Sequence, residues 1–226
     1  SGLVTAQRNQ LQALMGELDR SLARRGLRER YHAHYFPAHR YRLTARTNLY
    51  TTGLAILVRD GVAVEEHNAG RVQDITHRRG YKALKQTRVC AHLRVRKARQ
   101  SLDIFNTHMS LPGPFSADFW LKNERLGFGP NQLIEARRIV EVMRHSRGDG
   151  HAILVGDFNS LPGSPVDHLL RDEGGLVDAF ARSKGLNHEQ LRQWPTAGFR
   201  SLRMAIDRIY SSPGVEWVDF EGSAPY

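Results

Sequence analysis

Ile153-Leu154-Val155-Gly156-Asp157-Phe158-Asn159-Ser160 is a short apolar run that ends abruptly on a carboxylate and a carboxamide two residues apart. With Leu161-Pro162-Gly163 following, it reads as a buried strand that delivers polar side chains to a rim. Residues i and i+2 of a strand point the same way. Extended backbone carried past Gly156 would therefore set Asp157 and Asn159 on one face, able to address one water, divalent cation or phosphate. An Asx-rich turn closing the strand would satisfy the same residues. Spacing alone leaves both readings open.

Two further runs end in a comparable way. Leu102-Asp103-Ile104-Phe105-Asn106-Thr107-His108-Met109 finishes near a histidine, and Met204-Ala205-Ile206-Asp207-Arg208-Ile209-Tyr210 carries an aspartate inside apolar sequence. A charge buried there is costly without a partner, so Asp207 is expected to be buried and paired. Taken in order, Asn-Thr-His, Gly-Asp-Phe-Asn and Ile-Asp-Arg-Ile resemble the endonuclease/exonuclease/phosphatase superfamily, which holds deoxyribonucleases, deadenylases, sphingomyelinases and inositol polyphosphate phosphatases. Gly53-Leu54-Ala55-Ile56-Leu57 and Pro195-Thr196 fit the same pattern, so the likeness runs from about Gly53 to Tyr210. Gly-Asp-Phe-Asn is the most specific of these motifs, and their order makes the combination stronger than any one.

The resemblance also has departures. The superfamily opens with a strand bearing an Asn, followed by a Gln-Glu whose carboxylate binds the metal, and neither precedes Ala6-Gln7-Arg8-Asn9-Gln10-Leu11. Its closing Ser-Asp-His would begin about where Tyr226 stands. The expectation is one α/β domain over residues 1–226 without the family's first strand and terminal Asp-His motif, as a fragment of a longer domain would be.

Length and composition suit one sizeable core in a soluble protein. No apolar run approaches the roughly 20 residues of a membrane span, and no signal-peptide pattern is present, which slightly favours a cytoplasmic protein and leaves open a signal lost with a missing N-terminus. Cys90 is the single cysteine, so no intrachain disulfide forms. Alternation puts Val89, Ala91, Leu93 and Val95 on one strand face and Cys90, His92 and Arg94 on the other, which makes Cys90 a structural side chain. No protein partner is evident.

A net charge of +10 and a pI near 10.2 predict an anionic partner. The excess concentrates at Arg78, Arg79, Lys82, Lys85, Arg88, Arg94, Arg96, Lys97 and Arg99, with almost no acids between them. Arg78, Arg79, Lys82, Lys85 and Arg88 are the candidate phosphate-backbone contacts, the kind that hold nucleic acid without reading sequence and weaken steeply with salt. A merely solvated basic face is the plain alternative.

Elsewhere, Leu11, Leu14, Met15, Leu18 and Leu22 predict a helix stopped by Gly26, and Leu133, Ala136, Ile139, Val140 and Met143 a second one ended by Gly148. Residues 31–46 read as irregular and histidine-rich. A zinc site from His32, His34 and His39 has no cysteine or Glu at ligand spacing to support it. Phe115, Phe119, Trp120 and Phe128 lie in a Gly/Pro-punctuated loop after His108, suited to base stacking, to a lipid surface, or to covering the domain itself. Trp194 and Trp217 are assigned to packing.

The resemblance implies a four-layer α/β sandwich, two mixed sheets face to face with helices outside. It also implies single-step attack of water on a phosphoester, assisted by Mg²⁺ or Mn²⁺. Asp157 would orient and deprotonate the water, and Asn159 would donate to the phosphate. His108 would hydrogen-bond a non-bridging oxygen, and Asp207 would orient a histidine. The metal ligands stay undefined, with Asp157 and Asn159 nearby and the family's Glu absent from this chain. A nuclease is the leading expectation. A phospholipid or small-molecule phosphodiesterase working at a membrane surface, and a non-catalytic anion-binding module, are the alternatives.

Overall fold

The computed structural model describes residues 2–42, 48–77, 86–112, 126–199 and 202–220. Its spine is a sheet of β3 (Ala63–His67), β5 (Val89–Lys97), β6 (Gln100–His108), β7 (His151–Asp157), β11 (Asp207–Ser211) and β8 (Val177–Asp178), in that order. Short β4 (Gln73–Asp74) adds to β5 beyond β3. All pairings are antiparallel except β6 with β7, whose parallel register needs a crossover. That connection contains α2 (Pro130–Ser146).

Strand β5 buries both faces, and the sheet's apolar residues divide between two cores. Cys90, Phe105, Leu154 and Tyr210 meet Ala136, Ile139, Val140 and Met143 of α2 and Val166, Leu169 and Leu170 of α3 (Pro165–Asp172) on one side. On the other, Ala91, Leu93 and Val95 pack against Phe36, Ile56 and Val58 of the antiparallel hairpin β1 (Tyr31–Arg42) and β2 (Asn48–Arg59). Helix α1 (Gly2–Arg24) lies on the hairpin, stopped where Gly26 turns left-handed at φ 69°. Helix, hairpin, sheet and helices give the four-layer sandwich the motifs implied. The large sheet is mixed, and the described strands of the second are antiparallel.

Residues 31–42 are a strand, not irregular sequence. Their aromatics fit a half-buried pleat, and Pro37, which cannot donate to a ladder, sits beside the register shift between Pro37 and His39. Its histidines diverge, with His32 on Asp60, His34 near the His67 ring and His39 Nδ1 3.1 Å from Thr87 Oγ1. Cys90 is fully buried, which pushes its thiol up to about 12 and leaves it inert.

One buried polar pair ties the sheet at the end away from β6's terminus. His92 Nε2 lies 2.7 Å from Asp103 Oδ1, which also accepts from Arg94 Nε, while Asp103 Oδ2 accepts from Gly148 N. Both partners of the His92–Asp103 pair are almost wholly enclosed, so satisfaction of each oxygen is what makes the burial tolerable.

The candidate active site

Three polar side chains converge because three strands end in register. His108 pairs across the ladder with Asp157, and Asp157 pairs with Asp207. Period-two alternation keeps all three on the sheet face shared by Val155 and Ile209, away from the Phe105 and Leu154 core. His108 Nε2 stands 3.4 Å from Asp157 Oδ2, with both side chains partly exposed to a cavity of about 1100 Å³. Asn106, Thr196, Arg203, Phe180 and Trp194 also line that cavity.

Gly156 allows the close approach of β6 and β7 that this register requires. It adopts φ 147°, and a Cβ there would stand 2.0 Å from the backbone oxygen of Thr107. No larger residue fits between the two strand ends that carry His108 and Asp157.

Asp157 and Asn159 do not share an extended face. The strand ends at Asp157, Asn159 turns left-handed at φ 46°, and its backbone N–H donates to Asp157 Oδ1 at 2.9 Å. The Asx turn and the polar rim are therefore one structure. Asn159 is buried, with its amide donating to Met109 O at 2.8 Å, so it cross-links the loops that follow β6 and β7. Asp207 was expected to be buried and is exposed, whereas its neighbour Arg208 is buried. The alternation simply runs the other way. Thr196 Oγ1 fixes this corner by accepting from the backbone N–H groups of Ile206 and Asp207 at 3.1 and 2.9 Å.

Arg208 enters a buried network of charges, with its Nη1 left without a hydrogen-bond partner. Its guanidinium donates to Asp178 and lies 3.6 Å from Asp167 Oδ1, which accepts from the Tyr210 hydroxyl at 2.7 Å. Asp178 also caps α4 (Ala179–Lys184), so the third site strand, α3 and α4 are held by one set of charges.

The electrostatics of the pair are unequal. Burial, helped by the Arg88 guanidinium and opposed by Asp207, lowers His108 to about 4, so the ring is neutral at pH 7. Burial, reinforced by Asp207 against the Asn159 N–H and Arg88, raises the Asp157 carboxyl above its ordinary value. Arg88 is thus the cation that acts on both groups. Its Nε is buried without a hydrogen-bond partner, and desolvation lowers its own pKa. Arg78, Arg79, Lys82 and Lys85 lie outside the described residues, as do Phe115, Phe119 and Trp120.

The rest of the basic block is less free than its sequence suggested, because neighbouring strands supply acids. Arg94 pairs with Glu66 and Asp103, and Arg96 with Glu65. Trp194 is 52% exposed and sets its edge on Phe180 at the cavity wall, whereas it was expected in packing. Trp217 is half-buried and donates to Ser211 Oγ.

Gln132 and Glu135 escaped the motif reading. Both are fully buried beneath the site loops. They stand four residues before Ala136 and Ile139, so a polar residue on the helix's apolar stripe was the available signal.

A hard divalent cation prefers several oxygen ligands. The carboxylates of Asp157 and Asp207, register partners on β7 and β11, supply such oxygens. Among the described residues no group of three or more His, Cys, Asp or Glu side chains gathers around one point. Asp157 and Asp207 are the described acids at these strand ends that could hold such an ion, with water filling its remaining positions.

His108, Asp157 and Asp207 thus gather where neighbouring strands of an α/β sandwich end in register. The chain belongs to the endonuclease/exonuclease/phosphatase family, whose sequence model matches residues 6–222. Similar solved structures include the catalytic domain of human Nocturnin with bound sulfate (16% identity, TM-score 0.51, 87% of this chain and 64% of that one). ANGEL2, a 2′,3′-cyclic phosphatase in complex with adenosine-2′,3′-vanadate, gives 16% identity and a TM-score of 0.52 over 88% of this chain and 66% of its own. The mannosyl-6-phosphatase of Bacteroides thetaiotaomicron VPI-5482 gives 19% and 0.50 over 80% and 63%. At these identities the likeness is one of fold, and the chain spans 63 to 66% of the length of these relatives. No curated protein matches the sequence.

Proposed function

We propose that this protein hydrolyses phosphodiester bonds in nucleic acid with the help of a divalent cation, Mg²⁺ or Mn²⁺. The observation that carries the reading is the register of His108, Asp157 and Asp207 across three neighbouring strands, with 3.4 Å between His108 Nε2 and Asp157 Oδ2.

One oxygen of Asp157 is held by the Asn159 N–H, which leaves Oδ2 to take a proton from water as the water oxygen bonds to phosphorus. Burial raises this carboxyl above its ordinary value, which makes it a better base than an ordinary carboxylate. Neutral His108 keeps one ring N–H to donate to a non-bridging oxygen as negative charge grows there. Arg88 opposes the same charge from the hairpin side. The bond to the leaving oxygen breaks and that oxygen takes a proton from solvent. Asp207 stands by electrostatically, favouring the charged form of His108. Asp157 and Asp207 would hold the cation, which would supply neutralisation of the phosphate and leaving oxygen.

Net charge of +10 supports a polyanionic substrate. A second reading is a compact phosphoester carrying an aromatic group, favoured by Trp194 and Phe180 on the cavity wall and by the acids already occupying Arg94 and Arg96. Turnover of single-stranded DNA, RNA, a dinucleotide and a nucleoside cyclic phosphate, measured at two salt concentrations on the full-length protein, separates them. Preference for polymers with steep loss in salt supports the first reading; salt-insensitive preference for the small esters supports the second. Loss of neither substrate class on replacing His108 with Ala would overturn both.

A further inference from the structure

Gln132 uses its whole hydrogen-bonding capacity inside the protein, and the two bonds it donates go to the loops that leave the site strands. Its Oε1 accepts from Gly127 N at 2.9 Å and Gly129 N at 3.3 Å. Its Nε2 donates to Ser110 O at 2.9 Å and to Asn159 O at 2.8 Å. Ser110 and Asn159 each lie two residues beyond a reactive side chain, His108 and Asp157 respectively. One fully buried amide thus grips both chains where they leave the sheet.

The grip continues to the reacting atoms through four residues in contact. Gln132 Nε2 holds Asn159 O, Asn159 N holds Asp157 Oδ1, and Asp157 Oδ2 faces His108 Nε2. Asn159 occupies the left-handed region, which asparagine tolerates better than other non-glycine residues. Its Nδ2 bond to Met109 O and the Gln132 bond to its carbonyl are the constraints present. One turn along α2, Glu135 repeats the device on the His108 side. Its carboxylate accepts from Ser110 N and Ser110 Oγ, both at 2.8 Å, and from His77 N at 3.4 Å.

We infer that Gln132 is a positioning residue for the hydrolytic site: through its two donated bonds it sets Asn159, and thereby the Asp157 carboxylate, relative to His108. It touches neither substrate nor cation. The effect on turnover rests on the phosphoesterase reading, whereas the effect on the loops does not. The accepting side of the amide, which holds only residues 127 and 129, has no part in this.

The test compares Gln132→Met, which keeps the length and removes all four bonds, with Gln132→Glu, which keeps an acceptor for Gly127 and Gly129 and loses both donations. Val140→Ala, in the same helix and remote from the loops, controls for lost stability. On the full-length protein well below its melting temperature, both Gln132 variants are expected to lose kcat by about 10²-fold, with KM nearly unchanged, as a misplacement near 1 Å does. Val140→Ala should melt earlier and keep kcat. Amide hydrogen exchange gives a readout without turnover: residues 109–111 and 158–161 should lose protection in both Gln132 variants while β5 keeps it.

Unchanged exchange in those loops, or Gln132→Glu matching the wild type while Gln132→Met does not, overturns the inference. Absence of turnover in the wild type with the exchange result intact would refute the phosphoesterase reading and leave the positioning in place. If Gln132→Met does not fold, the Glu variant carries both readouts.

Discussion

Replacing Gly156 with Ala should weaken the fold and the site together, because that glycine lies between the two strand ends the site depends on. Its register partner is Thr107, and the new Cβ would begin 2.0 Å from the Thr107 carbonyl oxygen, so β6 and β7 must separate by about an ångström to relieve the clash. Overpacking of this kind costs about 1–3 kcal/mol, and an L-residue held at φ 147° adds about 1–3 kcal/mol. A total near 3 kcal/mol in a domain of this size lowers Tm by about 6–12 °C. The separation falls immediately beside His108 and Asp157, so their 3.4 Å approach opens as well. Turnover at 20 °C, where the variant remains folded, should drop by about 10²-fold. Thermal unfolding followed by circular dichroism, paired with kcat/KM, measures both. A variant with wild-type Tm and wild-type kcat/KM would refute the steric reasoning; a lowered Tm with intact turnover would refute the link to the site.

Three other outcomes follow from the same geometry. His108 titrates near 4 in the folded chain and at 6.5 unfolded, so between those values the unfolded chain binds the extra proton and stability falls as pH falls. His108 is 45% exposed, which reduces the loss to about 1–2 kcal/mol, and urea melts at pH 7 and pH 4 should show the difference shrinking in His108→Asn. Asp157, raised by burial, contributes with the opposite sign at the acid end. Tyr210→Phe keeps the ring on Phe158 but removes the donor to Asp167; about 1.5–3 kcal/mol should be lost in denaturant melts with kcat unchanged. Arg88→Gln should raise KM and flatten its salt dependence, and an unaltered salt slope would remove Arg88 from substrate binding.

The sequence showed the site's members more clearly than their arrangement. Strand patterning and motif order marked the runs that form β5, β6, β7 and β11, whereas the adjacency of His108, Asp157 and Asp207 comes from the sheet order and register. What it could not show was which way each strand faced at its end. A one-residue change of phase decides whether Asp207 or Arg208 is buried, and that phase comes from pairing with β7 rather than from local composition. Asn159 failed the period-two argument because the strand stops one residue past Gly156 and the Asx turn takes over.

Residues 31–42 read as irregular because histidines and a proline dilute the alternation, yet pairing along β2 overrides that weakness. The basic block looked unopposed because its acids, Glu65, Glu66 and Asp103, come from strands distant in sequence or across a turn. Gln132 was invisible for a related reason: a single polar residue on an apolar helix stripe has meaning only once the loops above it are known.

The most direct test of the central claim is hydrolysis of a labelled single-stranded oligonucleotide by the full-length protein, with and without Mg²⁺ or Mn²⁺, comparing wild type with Asp157→Asn. The substitution keeps the side chain's shape and its acceptor for the Asn159 N–H while removing the base. The account predicts cation-dependent cleavage that falls by about 10²–10⁴-fold in the variant at unchanged stability. Cleavage that persists undiminished in Asp157→Asn would contradict it.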